Sequence, residues 1–144
     1  MEPRIHVLTL AVDDLERALA FYREGLGLSS PGVVGTDYQG SQDDAAGAVV
    51  MFQLEGGPIL ALFPRGELAK DANVAVGAPK AGEFSIGQIV ENKNDVDRVL
   101  EQAKAAGGTV TDPPHDRPWG VYSGYFRDPD GHLWEIICDS HHAS

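Results

Sequence analysis

Glu135 stands between Trp134 and Ile136 in the run His132-Leu133-Trp134-Glu135-Ile136-Ile137-Cys138. A lone carboxylate in so apolar a run is costly to bury, so it needs a partner, a ligand or a water-filled pocket. In a cavity it could take a proton as a general base or hold a cationic ligand group. Paired instead with Arg127, Arg117 or a tyrosine hydroxyl, it would only fix the sheet, and both readings stay open. Trp119, Tyr122, Ser123 and Tyr125 crowd the preceding stretch. They offer stacking surfaces with polar handles, suited to an aromatic or amphipathic small molecule. Cys138 alternates away from Glu135 along a strand, which makes it a small core residue rather than a nucleophile. His6, His115, Asp116 and His132 are ligand types without a ligand pattern, since no His-x-His or Cys/His cluster gathers them. His141 and His142 fall in the last four residues, where an ordered site is not expected.

The elements that must carry these residues are legible around a turn. In Asp128-Pro129-Asp130-Gly131 the proline presets φ, Asp128 can bond the backbone ahead and Gly131 accepts a positive φ. The flanking runs, Val121 to Arg127 and His132 to Cys138, are rich in aromatic and branched residues and predict an antiparallel hairpin. Gly120 and Gly124 either relieve crowding there or admit a ligand close to the backbone. Upstream, Ile5 to Val12 predicts a buried strand. Asp13 or Asp14 then caps a helix with Leu15, Ala18, Leu19 and Tyr22 on one face, ending near Gly25 to Gly27. Ser29 to Gly47 reads as loop with a weak strand near Val33 to Tyr38, followed by a hairpin of Ala48 to Leu54 and Ile59 to Phe63 about Glu55-Gly56-Gly57-Pro58.

After a stretch at 64–82 with a short helix near Glu67 to Asp71, the order repeats. Phe84 to Glu91 predicts a strand, Asn94 or Asp95 a cap, and Val96, Val99, Leu100 and Ala103 a helical face closed by Gly107-Gly108. Thr109 to Thr111 begins another strand, and Asp112 to Pro118 reads as a proline-rich loop. The helix positions Glu16, Glu24, Asp97 and Glu101 read as solvated. The chain is therefore an α+β tandem: a first βαβββ module over 1–63, a linker over 64–82 and a second module over 83–144. Each module alone is of marginal size, so the expectation is one domain whose mixed sheets enclose a central cavity.

Composition narrows the function classes. Net charge is −11, with 22 acidic against 11 basic residues and no basic block, which argues against nucleic acid and anionic membrane as partners. A single cysteine excludes an intrachain disulfide framework, and the N-terminus lacks the pattern of a secretory signal, so a cytoplasmic protein is expected. No stretch is apolar over the roughly 20 residues that a membrane span needs.

The arrangement resembles the vicinal oxygen chelate superfamily, which includes glyoxalase I, extradiol dioxygenases, fosfomycin-resistance thiol transferases and bleomycin-resistance proteins. The likeness rests on Leu10-Ala11-Val12-Asp13-Asp14-Leu15 leading to Ala20-Phe21-Tyr22 and Leu26-Gly27-Leu28, and on Asp128-Pro129-Asp130-Gly131 standing four residues before Glu135. It implies a divalent metal held by one residue from the first and one from the last strand of each module. Carried over by position, Glu135 matches the last of these. The first falls on Val7, with His6 one residue off and so on the opposite face. The second module's first-strand position falls near Ser85, and the strand Ile59 to Phe63 carries no acid. A metal is therefore disfavoured and no cofactor is expected.

Two function classes remain. One is a metal-free protein of the bleomycin-resistance kind that binds a small molecule with Val7, Thr9, Trp119, Tyr122, Ser123, Tyr125 and Glu135. The other is a lyase, isomerase or dioxygenase that uses a nonstandard metal site or Glu135 as catalytic base. The resemblance also implies a homodimer.

Overall fold

The computed structural model describes residues 1–78 and 83–139. The chain divides into two compact units, Met1–Ala78 and Pro79–Ser144. His141, His142 and the end of the 64–82 stretch lie outside the described residues.

The first unit opens with β1 (Val7–Val12) and α1 (Leu15–Ala20), which passes into a wider π-helical turn over Phe21–Gly25. Asp14 caps α1 by accepting from the Arg17 N–H at 3.0 Å, satisfying a donor the helix itself leaves open. Gly27, at φ +81°, turns the chain out of the helix. A two-residue strand, β2 (Val33–Val34), a long loop, β3 (Val49–Gln53) and β4 (Ile59–Pro64) complete a sheet of order β1-β4-β3-β2. The weak strand read over 33–38 is thus only two residues long, because Gly35 takes a positive φ and ends it.

β1 runs parallel to β4, while β3 is antiparallel to both of its neighbours. Leu10, Val12, Leu60, Leu62, Val50 and Phe52 are buried, and Tyr22 stands 6.0 Å from Phe52, ring to ring. The strand period of two then sends Val7, Thr9 and Ala11 to the other face, with Val7 half exposed. α2 (Arg65–Ala72) follows β4 and occupies part of the 64–82 stretch. It ties down the long loop: Glu67 accepts from the Ala46 N–H at 2.8 Å, and Lys70 Nζ donates to the Ser41 carbonyl at 2.8 Å.

The second unit repeats the plan with β5 (Ile86–Ile89), α3 (Lys93–Ala105), β6 (Thr109–Asp116), β7 (Val121–Arg127) and β8 (Leu133–Asp139), in sheet order β5-β8-β7-β6. α3 starts earlier than the sequence predicts. Its cap is Asn92, accepting from the Asp95 N–H at 2.9 Å, rather than Asn94 or Asp95. Val96, Leu100 and Ala103 are buried from the helix; Phe126, Ile136 and Cys138 are buried from the sheet. Trp134 stacks on Phe126 at 6.0 Å between ring centroids, with the ring planes nearly parallel.

β6 departs furthest from the sequence reading. The stretch expected as a proline-rich loop pairs with β7 as far as Asp116, with register shifts between Val110 and Asp112 and between Asp112 and His115. An edge strand needs no N–H on its outer side, so it tolerates Pro113 and Pro114 where an inner strand could not. Both sheets are mixed and open-edged, and neither closes into a barrel. Among the described residues, no helix is long and apolar enough to cross a membrane.

Candidate functional site

β7 and β8 bring Ser123, Tyr125 and Glu135 together. Tyr125 is the cross-strand partner of Glu135, and Ser123 lies one step of the pleat further along β7. Glu135, Ile137 and Leu133 share the face away from α3, since Ile136 and Cys138 are buried on the other. On the far side of Glu135 the in-register neighbour in β5 is Gly87, which places no side chain beside the acid. The Ser123 hydroxyl donates to Glu135 Oε2 at 2.8 Å. Burial raises the Tyr125 hydroxyl above its ordinary pKa, and the charge of Glu135 and a hydrogen bond to it raise it further.

Arg117, on the β6–β7 connection, completes the constellation. Its Nε donates to Ser123 Oγ at 3.0 Å, one terminal nitrogen to the Ser123 carbonyl at 3.1 Å, and the other to Asp112 Oδ2 at 2.7 Å. Its guanidinium also sits 5.5 Å from the Tyr125 ring centroid, within cation–π range. Asp112 is shared: His115 Nε2 lies 3.1 Å from the same Oδ2, while His115 Nδ1 lies 3.0 Å from the Asp116 carbonyl. Both ring nitrogens thus face acceptors, and only a ring carrying both protons can make both bonds. Arg117 first, and His115 second, hold the Asp112 carboxyl below its usual range.

The other residues named from the sequence lie elsewhere. Tyr122 points to the α3 side, where its hydroxyl donates to Asp97 at 2.6 Å and Lys93 Nζ approaches its ring at 5.3 Å. Trp119 is 70% exposed at the tip of the β6–β7 connection. Val7 and Thr9 belong to the open face of the first sheet. Cys138 is buried, with its thiol 3.7 Å from the Glu91 carbonyl. Arg117 entered the sequence reading only as one partner for Glu135; the structure links it to the acid through Ser123. Asp112 was not singled out, because the prolines that follow it mask the strand.

A shallow cleft of about 410 Å³ adjoins this group, walled by Phe84, Ser85, Thr111, Tyr125 and Leu133. A larger groove of about 550 Å³ lies between α3 and β6, with Asp97, Leu100, Lys104 and Val110 among its walls. The larger groove is on the α3 face, remote from the chemistry. The smaller one is the better candidate because the Ser85 and Thr111 side chains wall it together with Tyr125, the cross-strand partner of Glu135.

The metal expected from the resemblance does not fit these residues. Val7 lies on the open face of β1, and Ser85 precedes β5. The register that sets Gly87 beside Glu135 sets Thr9 beside Ala61 in the first unit, so Ala61 occupies the position of the missing acid. Among the described residues, no three His, Cys, Asp or Glu side chains come together in a group that could hold a metal ion.

A family model described as Glyoxalase/Bleomycin resistance protein/Dioxygenase superfamily matches residues 4–136. Among solved structures, a glyoxalase-related enzyme from Fulvimarina pelagi is 30% identical with a TM-score of 0.77, covering 94% of this chain and 88% of that one. A lactoylglutathione lyase from Agrobacterium tumefaciens is 30% identical with a TM-score of 0.64, covering 96% and 95%. A glyoxalase/bleomycin resistance protein/dioxygenase from Nocardioides is 25% identical with a TM-score of 0.74, covering 96% and 84%. No protein of curated function matches the chain.

Proposed function

The chain belongs to the Glyoxalase/Bleomycin resistance protein/Dioxygenase superfamily, and on that premise we propose that it binds a small aromatic or amphipathic molecule beside Glu135 without a metal ion. One observation carries this reading. Ser123 and Tyr125 gather at Glu135 beside a cleft walled by Phe84, Ser85, Thr111, Tyr125 and Leu133, and in the first unit Ala61 takes the strand position that Glu135 has in the second. A single carboxylate cannot hold a catalytic divalent ion tightly, but it can anchor one polar group of a ligand whose body lies on Tyr125, Phe84 and Leu133.

An enzymatic reading is favoured by a different observation, the 30% identity to a protein described as a lactoylglutathione lyase. In that case Glu135 would act as general base on a carbon acid held in the cleft, with the Ser123 hydroxyl orienting it. Elemental analysis of the purified protein separates metal from metal-free chemistry. Stoichiometric Ni, Zn, Fe or Mn that is lost in Glu135→Gln would sink the metal-free reading. For the base, the test is turnover of an identified substrate, and an unchanged rate in Glu135→Gln would exclude it. The homodimer implied by the family is part of the same proposal, and light scattering that gives a monomer at micromolar concentration would count against it.

A further inference from the structure

Resting on the binding reading, we propose that the cleft of the second unit takes an elongated, uncharged aromatic molecule with a hydrogen-bonding group at each end, one met by Ser85 and the other by Thr111. The position of the walls in the sheet is the first support. The strand order is β5-β8-β7-β6, so β5 and β6 are the two edges. Phe84 and Ser85 lead into β5, Leu133 belongs to β8, Tyr125 to β7 and Thr111 to β6. The cleft therefore crosses all four strands, with a hydroxyl at either edge and Leu133 and Tyr125 between them. Three strand spacings of about 4.8 Å set those edges about 14 Å apart, which suits a two-ring molecule better than a single ring.

A β-bulge brings Thr111 to this cleft. Val110 pairs with Phe126 and Asp112 with Tyr125, so Thr111 is an extra residue with no partner of its own in the ladder. Two successive side chains, Thr111 and Asp112, then stand on the side of Tyr125 where a regular strand would offer one. Asp112 uses its place to bond Arg117 at 2.7 Å, and Thr111 walls the cleft. Among the described residues neither the Thr111 nor the Ser85 hydroxyl has a hydrogen-bond partner, so both are open to a ligand. None of the five walls is charged. The Arg117 guanidinium already lies 5.5 Å from the Tyr125 ring centroid and is paired with Asp112, and the Tyr125 hydroxyl is bonded to Glu135, so Tyr125 contributes apolar surface. An ionised ligand would shed water against these walls without meeting a counter-charge, whereas a ligand hydroxyl or carbonyl finds a partner in Ser85 or Thr111.

The test uses four probes built on one two-ring frame: 4,4′-dihydroxydiphenylmethane with a hydroxyl at each end, 4-benzylphenol with one, 4-benzylbenzoate as the anion and 4-benzylbenzylamine as the cation. Each is titrated into the full chain at about pH 7, where the phenols are neutral and the last two are ionised. Amide shifts of Thr111, Tyr125 and Leu133 are followed. The diol should bind about threefold to tenfold tighter than 4-benzylphenol, the gain expected of one net hydrogen bond, and both ions should bind more weakly than 4-benzylphenol. Ser85 and Thr111 are exposed, so replacing them leaves the core intact. Thr111→Val and Ser85→Ala should each bring the diol down to the affinity of 4-benzylphenol, while 4-benzylphenol itself, still held at the other end, changes little. The two substitutions together should weaken both. If the diol keeps its advantage in both single variants, or either ion binds as tightly as the diol, the two-ended neutral selection is wrong and the binding cleft stands. If no probe moves those amides at about 1 mM, a level that reveals binding in the millimolar range, the cleft itself is wrong and the selection falls with it.

Discussion

At the residue scale, the two tyrosines of β7 report separately on the two faces of the second sheet. Tyr125 is raised by burial first and by Glu135 second, so Glu135→Gln removes part of the shift and leaves the rest. We expect the Tyr125 step in a tyrosinate absorbance titration to move down in that variant yet stay above the ordinary value; an unmoved step would show that the two side chains do not interact. Tyr122 is raised to about 12, chiefly by its hydrogen bond to Asp97 and then by burial. A raised folded-state pKa gives stability that is fully present below the unfolded value near 10 and is lost as pH rises toward about 12. Asp97→Asn should therefore lower the Tyr122 step toward the ordinary value. It should also flatten the fall in thermal midpoint between those two pH values. A wild-type alkaline limb unchanged by the substitution would refute the assignment.

At the element scale, strand parity was readable from the sequence and edge geometry was not. The period of two set Glu135 apart from Ile136 and Cys138, and it set Val7 and Thr9 apart from Leu10 and Val12, as the burial of those residues bears out. β6 was missed because Pro113 and Pro114 carry a loop signal in any single sequence, and only an edge with register shifts can absorb them. The consequence reaches the site, since Asp112 and His115 enter it through that irregular strand. Gly124 is what admits the strand so close. A Cβ there would lie 3.1 Å from the Asp112 carbonyl oxygen and 3.2 Å from the Pro114 Cα, both backbone atoms that cannot swing aside. Gly124→Ala should thus push β6 outward and destabilise by about 1–3 kcal/mol, the usual cost of overpacking. Denaturant midpoints measure this, and in the same variant the His115 ring resonances should shift as Asp112 moves. A neutral midpoint would mean that β6 has slack at the bulge.

At the scale of the whole molecule, the repeat of strand, helix and three strands was legible because each unit carries its own cap, helical face and turn residues, and the two four-stranded sheets of like order agree with it. The ligand was not legible, because the family scaffold fixes a fold and leaves the chemistry to a few side chains. What the composition does determine is how the fold responds to acid. At neutral pH a net charge of −11 repels itself, and partial neutralisation on the way down to the isoelectric point near 4.6 relieves that. Against this stand Asp112, held low by Arg117 and His115, Glu67, held low by the Ala46 N–H, and Glu24, held low by Arg23. A depressed folded-state pKa gives stability that is present above the unfolded value, near 4, and is lost as pH falls through the folded one. The two effects act in different windows, since ordinary carboxylates begin to neutralise before the depressed three do. The thermal midpoint should therefore hold or rise slightly from neutral pH to about 5, then fall once pH drops below about 4. Added salt should flatten the upper part of that profile by screening the repulsion and should also shrink the acid fall, because the ion pairs of Glu24 and Asp112 are open to solvent. A midpoint that declines steadily from pH 7 would mean that the native charge distribution, not its excess, governs stability.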